Sequence, residues 1–393
     1  MIKNTILIII SAIVAIDIIP IFLKWIFRIH IGRYNEKLHW RDSLINVSVK
    51  WINKTPKIKV TDNTRLVFID MLKKNYTKTA IQSWQEAALL LGLIEYKKDN
   101  YNKNIEAQIN KFINNKIDDN GMWIKEPQNI DIAILAYALM NVNKNITKKC
   151  KPALDLTWNI IKNHIGEDGT VKYRKHMGNY RYVDTIGFIC AFLIKYGVEF
   201  DNNEAVDLAI KQINEYSANG MLVERNLPYH AYNVNTKEKL GLCGWGRGVG
   251  WYSIGLIDSW KELPDNNKYK AELNIYVKEF AKEIIKLQNE NGGWNWTSIR
   301  KETRTDSSTT ATLSWFLINA CEIKEISEEC KKALDKAINY LMGVTRRSGA
   351  IDFSQGDTKD IGVYSMLFDI LPFTQGFALR TICKQIRVGN INE

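Results

Sequence analysis

Asp119-Asn-Gly-Met-Trp123, Glu167-Asp-Gly-Thr-Val171, Ala218-Asn-Gly-Met-Leu222, Asn291-Gly-Gly-Trp294 and Arg347-Ser-Gly-Ala-Ile351 are five versions of one turn, each closing on an apolar or aromatic residue. Their glycines at 121, 169, 220, 293 and 349 recur every roughly 50 to 70 residues, room for two helices of about 12 to 18 residues plus loops. Before a turn the chain is amphipathic, as in Glu279-Phe-Ala-Lys-Glu-Ile-Ile-Lys-Leu-Gln288, where Phe280, Ile284 and Leu287 share a stripe. After a turn it is apolar nearly all round, as in Ile132-Ala-Ile-Leu-Ala-Tyr-Ala-Leu-Met140 and Ile186-Gly-Phe-Ile-Cys-Ala-Phe-Leu-Ile194, which predicts burial on most sides. Alternating outer and inner helices describe a closed ring. The expectation is an all-α fold, an (α/α)6 toroid or six-hairpin barrel, its sixth hairpin built from Asn63 to Leu93 and a C-terminal helix near Gln375 to Gln385. An open solenoid would use shorter repeats and polar caps.

Composition fits one large core. The 393 residues are 46% hydrophobic and 11% aromatic, with only seven prolines and no Gly/Ser-rich linker. Ahead of the repeats, Ile6 to Leu23 is interrupted only by Ser11, Asp17 and Pro20 among the polar or helix-breaking residues. Its apolar residues supply roughly −4 to −8 kcal/mol of insertion free energy against about +3 for a central Asp, so it reads as a transmembrane helix. No small-x-small cleavage site follows, and Trp25 suits an interfacial position. Lys24, Arg28, Arg33, Lys37 and Arg41 follow the span while Lys3 precedes it, which predicts a single-pass anchor with the barrel on the cytoplasmic side. The expected division is an anchor over 1–30, a juxtamembrane linker over 31–60 and the barrel over 61–393.

Six cysteines without a CxxC and five histidines without ligand spacing call for no disulfide framework, no metal and no cofactor. The net charge of +11 comes from lysines dispersed along the chain, so nucleic-acid binding, which wants a clustered stripe, is not expected. A membrane surface or an acidic polysaccharide suits the sign, as does a simply solvated lysine surface.

The stretch Cys243-Gly-Trp-Gly-Arg-Gly-Val-Gly-Trp251 joins glycines, two flat rings and a planar cation. Trp245 and Trp251 suit the face of a sugar, and the Arg247 fork suits its carboxylate. The glycines fit neither G-x-G-x-x-G nor a Walker pattern. A structural turn with core tryptophans is the plainer alternative. Asp131 and Asp184 stand at equivalent places, each at the start of an inner helix on consecutive hairpins, where they face one pocket or act as helix caps. His230 lies in a loop ahead of Trp245.

The order carboxylate, carboxylate, histidine, then Trp-x-Arg-x-x-x-Trp resembles glycoside hydrolase families 88 and 105, the unsaturated glucuronyl and rhamnogalacturonyl hydrolases, over roughly residues 65 to 385. The family's W-x-D-x-x-(F/Y), W-x-R-x-x-G-W, L-Q-x-x-x-G-x-W and E-x-S-x-(S/T)-A stand against Tyr182-Val-Asp184-Thr-Ile-Gly-Phe188, Trp245-Gly-Arg247-Gly-Val-Gly-Trp251, Leu287-Gln-Asn-Glu-Asn-Gly-Gly-Trp294 and Thr305-Asp-Ser-Ser-Thr-Thr-Ala311. The resemblance implies that Asp184 is the catalytic acid/base, Asp131 its partner carboxylate, His230 a substrate or water ligand, and Arg247, Trp245 and Trp251 sugar contacts. Trp294 and Tyr173 join them as expected substrate contacts. Tyr173 departs from the histidine that family members often carry there. The implied reaction is hydration of a 4,5-unsaturated uronic acid within an acidic oligo- or polysaccharide. A second expectation, suggested by the anchor, is a non-hydrolytic protein that binds a nascent glycan in membrane-associated polysaccharide biosynthesis. Side chains of Asp131 and Asp184 pointing into one pocket within reach of a common sugar ring favour the enzyme, whereas either one capping its own helix on the outside favours the binding protein.

Overall fold

The structure, a computed structural model, describes residues 2–79 and 82–392. Fifteen α-helices are present among them. The first five are α1 (Ile2–Arg28), α2 (Lys37–Ile52), α3 (Val67–Leu72), α4 (Ser83–Lys97) and α5 (Lys103–Asn114). They are followed by α6 (Ala133–Met140), α7 (Lys144–Lys149), α8 (Lys151–Lys162), α9 (Asp184–Glu199) and α10 (Asn203–Asn219). The last are α11 (Gly246–Glu262), α12 (Lys270–Lys286), α13 (Ser307–Ala320), α14 (Ser327–Gly343) and α15 (Pro372–Asn392). Strands of two or three residues, all antiparallel, occupy the loops.

Six helices form the inner ring, each touching the next: α4, α6, α9, α11, α13, α15 and back to α4. Their side chains explain the placement. Every residue of α13 is buried, and its hydroxyls turn back on their own helix, Thr310 donating to the Asp306 carbonyl and Ser314 to that of Thr310. Where α15 meets α4 the backbones touch: a Cβ on Gly376 would lie 2.2 Å from the Ala88 carbonyl. Outside this ring run α2, α5, α8, α10, α12 and α14, half apolar and half charged as their sequences require.

The repeated turns lock each hairpin to its neighbour. In three of them the residues flanking the turn make the same antiparallel bridge: Ile117 with Trp123, Ile165 with Val171 and Thr345 with Ile351. Gly121 (φ 79°) and Gly349 (φ 86°) take the left-handed backbone such a turn needs. They also lie against the next outer segment, so a Cβ would stand 2.0 Å from the Lys149 carbonyl and 2.6 Å from that of Ser43. The second contact closes the circle, because Ser43 belongs to α2.

Residues 31–60 are therefore not a linker. Trp40, Leu44, Val47 and Trp51 of α2 are buried, the Trp40 indole donates to Thr345 Oγ1 (2.9 Å), and α2 packs on α4 and α15. It is the sixth outer helix, paired in sequence with α4, while α15 follows α14. The expected pairing of Asn63–Leu93 with the C-terminal helix is corrected accordingly. The six cysteines are free thiols.

Helix α1 is long and apolar enough to cross a membrane, and none of its residues is buried. One stripe of its second half, Ile13, Ile16, Asp17, Pro20, Lys24 and Arg28, is partly covered by the rest of the chain. The polar members of that stripe all have partners. Asp17 accepts from the amides of Leu66 (2.7 Å) and Val67 (2.9 Å), Lys24 pairs with Asp369 (2.9 Å), and Arg28 grips Asp352 with two bonds (2.8 and 2.7 Å).

Candidate active site

At the end of the ring where inner helices begin, a cleft of about 240 Å³ opens among Trp84, Tyr173, Asp184, His230, Trp245, Arg247, Trp251 and the segment Asp357–Asp360. Asp184 is the first residue of α9. Ahead of it, Tyr180–Tyr182 pairs with Ala231–Asn233, placing Tyr182 opposite Ala231, and the Val183 amide donates to the His230 carbonyl (3.0 Å). This small sheet carries His230 to the start of α9, where its Nε2 lies 3.7 Å from Asp184 Oδ2.

The floor beneath is aromatic. Phe188 meets Trp251 at 4.6 Å between centroids, Tyr173 stacks on Phe188 at 6.0 Å, and Trp84 meets Trp251 edge to face at 5.6 Å. These rings displace water around Asp184, whose side chain keeps 15% exposure and whose Oδ2 has no hydrogen-bond partner. Burial, helped by the charge of Asp357, pushes its carboxyl up to about 7 against a hydrogen bond from its own backbone amide and the pull of Arg247 and Arg174. Asp184 does not cap its helix as Asp306 does, which accepts from the amides of Ser308 and Thr309. Burial takes the His230 imidazole the other way, down to about 4, aided by Arg247 and opposed by Asp360. His230 is thus neutral beside a carboxyl that holds its proton to neutrality. Its Nδ1 shares a hydrogen bond with the Tyr364 hydroxyl (3.2 Å).

Asp131 sits in the 3-10 turn Ile130–Ile132 leading into α6, the place equivalent to Asp184. It does not line the cleft. Its carboxylate lies 3.8 Å from Arg174, which does, and burial raises its pKa. Arg174 in turn lies over the Tyr173 ring (4.0 Å). The two aspartates therefore meet through Arg174 rather than in one cavity.

Within the Trp/Arg stretch, residues 246–251 are the first turns of α11, and Gly246 and Gly250 bring that helix against α13: a Cβ on Gly246 would strike Thr309 Oγ1 (2.2 Å) and one on Gly250 would strike Thr312 Oγ1 (2.5 Å). The Arg247 fork is also already engaged. It donates to the carbonyls of Gln355 (2.6 Å) and Gly356 and to Thr358 Oγ1 (3.3 Å), while the Trp245 indole donates to Gln355 Oε1 (3.0 Å). Both side chains hold the far wall of the cleft in place.

That wall escaped the sequence reading. Gly356 to Leu367 loops out between the paired strands Ser354–Gln355 and Phe368–Asp369, and Asp357, Thr358, Lys359 and Asp360 line the cleft from it. Burial raises the Asp357 carboxyl, with Arg247 opposing. The available signal was a long non-helical stretch carrying four polar residues in a row, the kind of segment that tends to be functional. Trp294, by contrast, is not at the cleft: it is fully buried and its indole donates to the Ile284 carbonyl (2.7 Å), fixing the turn between α12 and α13.

The model of Glycosyl Hydrolase Family 88 matches residues 51–365, so the chain belongs to that family of glycoside hydrolases. No curated protein sequence matches it. Among solved structures it is similar to one from Klebsiella pneumoniae described as a possible member of family 105 (TM-score 0.74, 15% identity, 91% of this chain and 95% of the other). It is also similar to an unsaturated glucuronyl hydrolase specific for heparin (TM-score 0.68, 14% identity, 90% and 98%). A third is the unsaturated glucuronyl hydrolase of Bacillus sp. GL1, responsible for glycosaminoglycan degradation (TM-score 0.68, 13% identity, 90% and 97%).

Proposed function

We propose that the cleft hydrolyses a uronate-containing oligosaccharide by hydration of a 4,5-unsaturated uronic acid, with Asp184 as acid and then base. The observation that carries this is the Asp184 carboxyl, set on an aromatic floor with its Oδ2 unpartnered and protonated up to about pH 7. An enol ether needs a proton on C4 before water can add at C5, and a neutral carboxyl supplies it where a carboxylate cannot. Left as the anion, Asp184 takes the proton of the attacking water and is restored; the hemiketal formed at C5 then opens and frees the next sugar. His230, neutral and close by, accepts a hydrogen bond from that water. Arg174 and Lys359, with the field of Arg247, face the substrate carboxylate, and Trp245, Trp251 and Tyr173 supply the apolar surface. Asp131 tunes the site through Arg174. The known similarity to unsaturated glucuronyl hydrolases supports the same substrate class.

The test is a panel of unsaturated and saturated uronate disaccharides. Release of reducing sugar from the unsaturated members, with loss of their enol-ether absorbance, is expected. Turnover of saturated and unsaturated members alike would overturn the mechanism.

The reading extends to α1 as a single-pass membrane anchor with the barrel on the cytoplasmic side. In the folded chain Lys24, Arg28 and Lys37 are ion-paired with residues far along the sequence, but orientation is set while the chain inserts, before those partners are in place. Protease protection of the barrel in inverted vesicles would reverse the orientation.

A further inference from the structure

Helix α3 belongs to no hairpin, and its surface is unusual. Leu66, Ile69, Met71 and Leu72 are exposed, Leu72 to 78%, and Arg65, Lys73 and Lys74 stand exposed at either end. An apolar turn flanked by cations is the pattern of a segment lying at a lipid interface. Its position agrees, because α3 packs directly on α1. The contact is chemical as well as steric. Asp17, the one acidic residue of the apolar span, has its carboxylate held by the amides of Leu66 and Val67 at the start of α3. An aspartate entering lipid without partners is costly, and these two donors answer that cost only where α3 accompanies α1.

We infer that α3 is a second membrane-contacting element, which seats in the lipid interface beside α1 and fixes the barrel's posture on a bilayer. The inference rests on α1 as a membrane span. The partner surface is a bilayer containing anionic lipid, matched by Arg65, Lys73 and Lys74. The seat adjoins the active site. A depression bordered by Asp70 of α3, Asn63 and Lys78 shares Asp357 and Lys359 with the cleft, so the cleft's outer rim runs toward the same membrane face. Lys24 and Arg28, holding Asp369 and Asp352 on either side of the Gly356–Leu367 loop, fasten that rim to α1. The barrel is then held against lipid at several points rather than hung from a tether.

The test uses the full-length chain in vesicles of phosphatidylcholine and phosphatidylglycerol, with nitroxide labels at Leu72→Cys, Ile9→Cys and Tyr101→Cys and the labelled parent chain as background. Tyr101 is exposed between α4 and α5, at the opposite end of the barrel from the cleft. The measurement is collision with oxygen relative to a water-soluble nickel chelate. A ratio several-fold higher at positions 9 and 72 than at 101 is the expected result. A high ratio at 9 with position 72 equal to 101 would overturn the seat while leaving the anchor. Low ratios at all three would overturn both.

Discussion

Asp184 and His230 carry opposite titrations, and stability should register them. Asp184 is raised from 3.8 to about 7 in the folded chain, so between those values the native state holds a proton the unfolded state has lost, and stability falls as pH rises. His230 is lowered from 6.5 to about 4, so between about 4 and 6.5 the unfolded state holds the extra proton and stability rises with pH. The two slopes oppose one another over that shared window. His230→Asn removes the second, so denaturant melts of that variant are expected to show a more downward slope of stability with pH than the parent's between about pH 4 and 6.5. Asp184→Asn should lower kcat by roughly 10²- to 10⁴-fold with the melting transition at neutral pH no lower than the parent's, and the parent kcat/KM should decline above about pH 7. Full activity in Asp184→Asn would remove Asp184 from the chemistry. Arg247→Lys keeps a charge but cannot span the Gln355 and Gly356 carbonyls, so calorimetry should find affinity reduced for charged and neutral sugars together. Loss confined to uronates would instead return Arg247 to a direct carboxylate contact. At this scale the sequence exposed Asp131 and Asp184, because a turn motif precedes five of the six inner helices, α6 and α9 among them. It hid Asp357 and its neighbours, which reach the cleft only because strand pairing and Arg247 fold a distant loop back over it.

The hairpins were legible because period and turn agree: an amphipathic run, a glycine turn and an apolar run repeat with little variation. Helix α2 was not, although Trp40, Leu44, Val47 and Trp51 already mark one face at helical spacing. Cations at 33, 37 and 41, following an apolar span, drew the juxtamembrane reading, and no turn of the recurrent kind follows the helix. Its importance can be measured. Trp40→Ala should destabilise the barrel by about 3 to 5 kcal/mol, since a fully buried indole and its bond to Thr345 are both lost. The turns make a sharper comparison. Gly121→Ala forces a left-handed residue against the Lys149 carbonyl and should cost more than about 1 kcal/mol, whereas Gly178→Ala, with nothing within 4 Å, should be near neutral. Equal melting temperatures for the two variants would show that the turns yield without loss.

For the whole molecule, the anchor and the barrel make separable predictions. The full chain should sediment with membranes, resist salt and be released by detergent; recovery in the soluble fraction after lysis would count against the span. Removal of residues 1–32 should leave a folded ring, and removal of residues 1–60 should not, because the second cut takes α2 and opens the circle at Ser43. Circular dichroism melts of the two truncations decide the matter. The same closure has a bearing on synthesis. The ring joins its first inner helix to its last, and the backbone of α4 at Ala88 fits against Gly376, near the start of the ring's last helix. The preceding hairpins can collapse as they emerge, yet α4 must keep an apolar face uncovered until α15 has been made. The nascent chain should therefore need a chaperone until α15 emerges and gain protease resistance in one step, once α15 is free to dock.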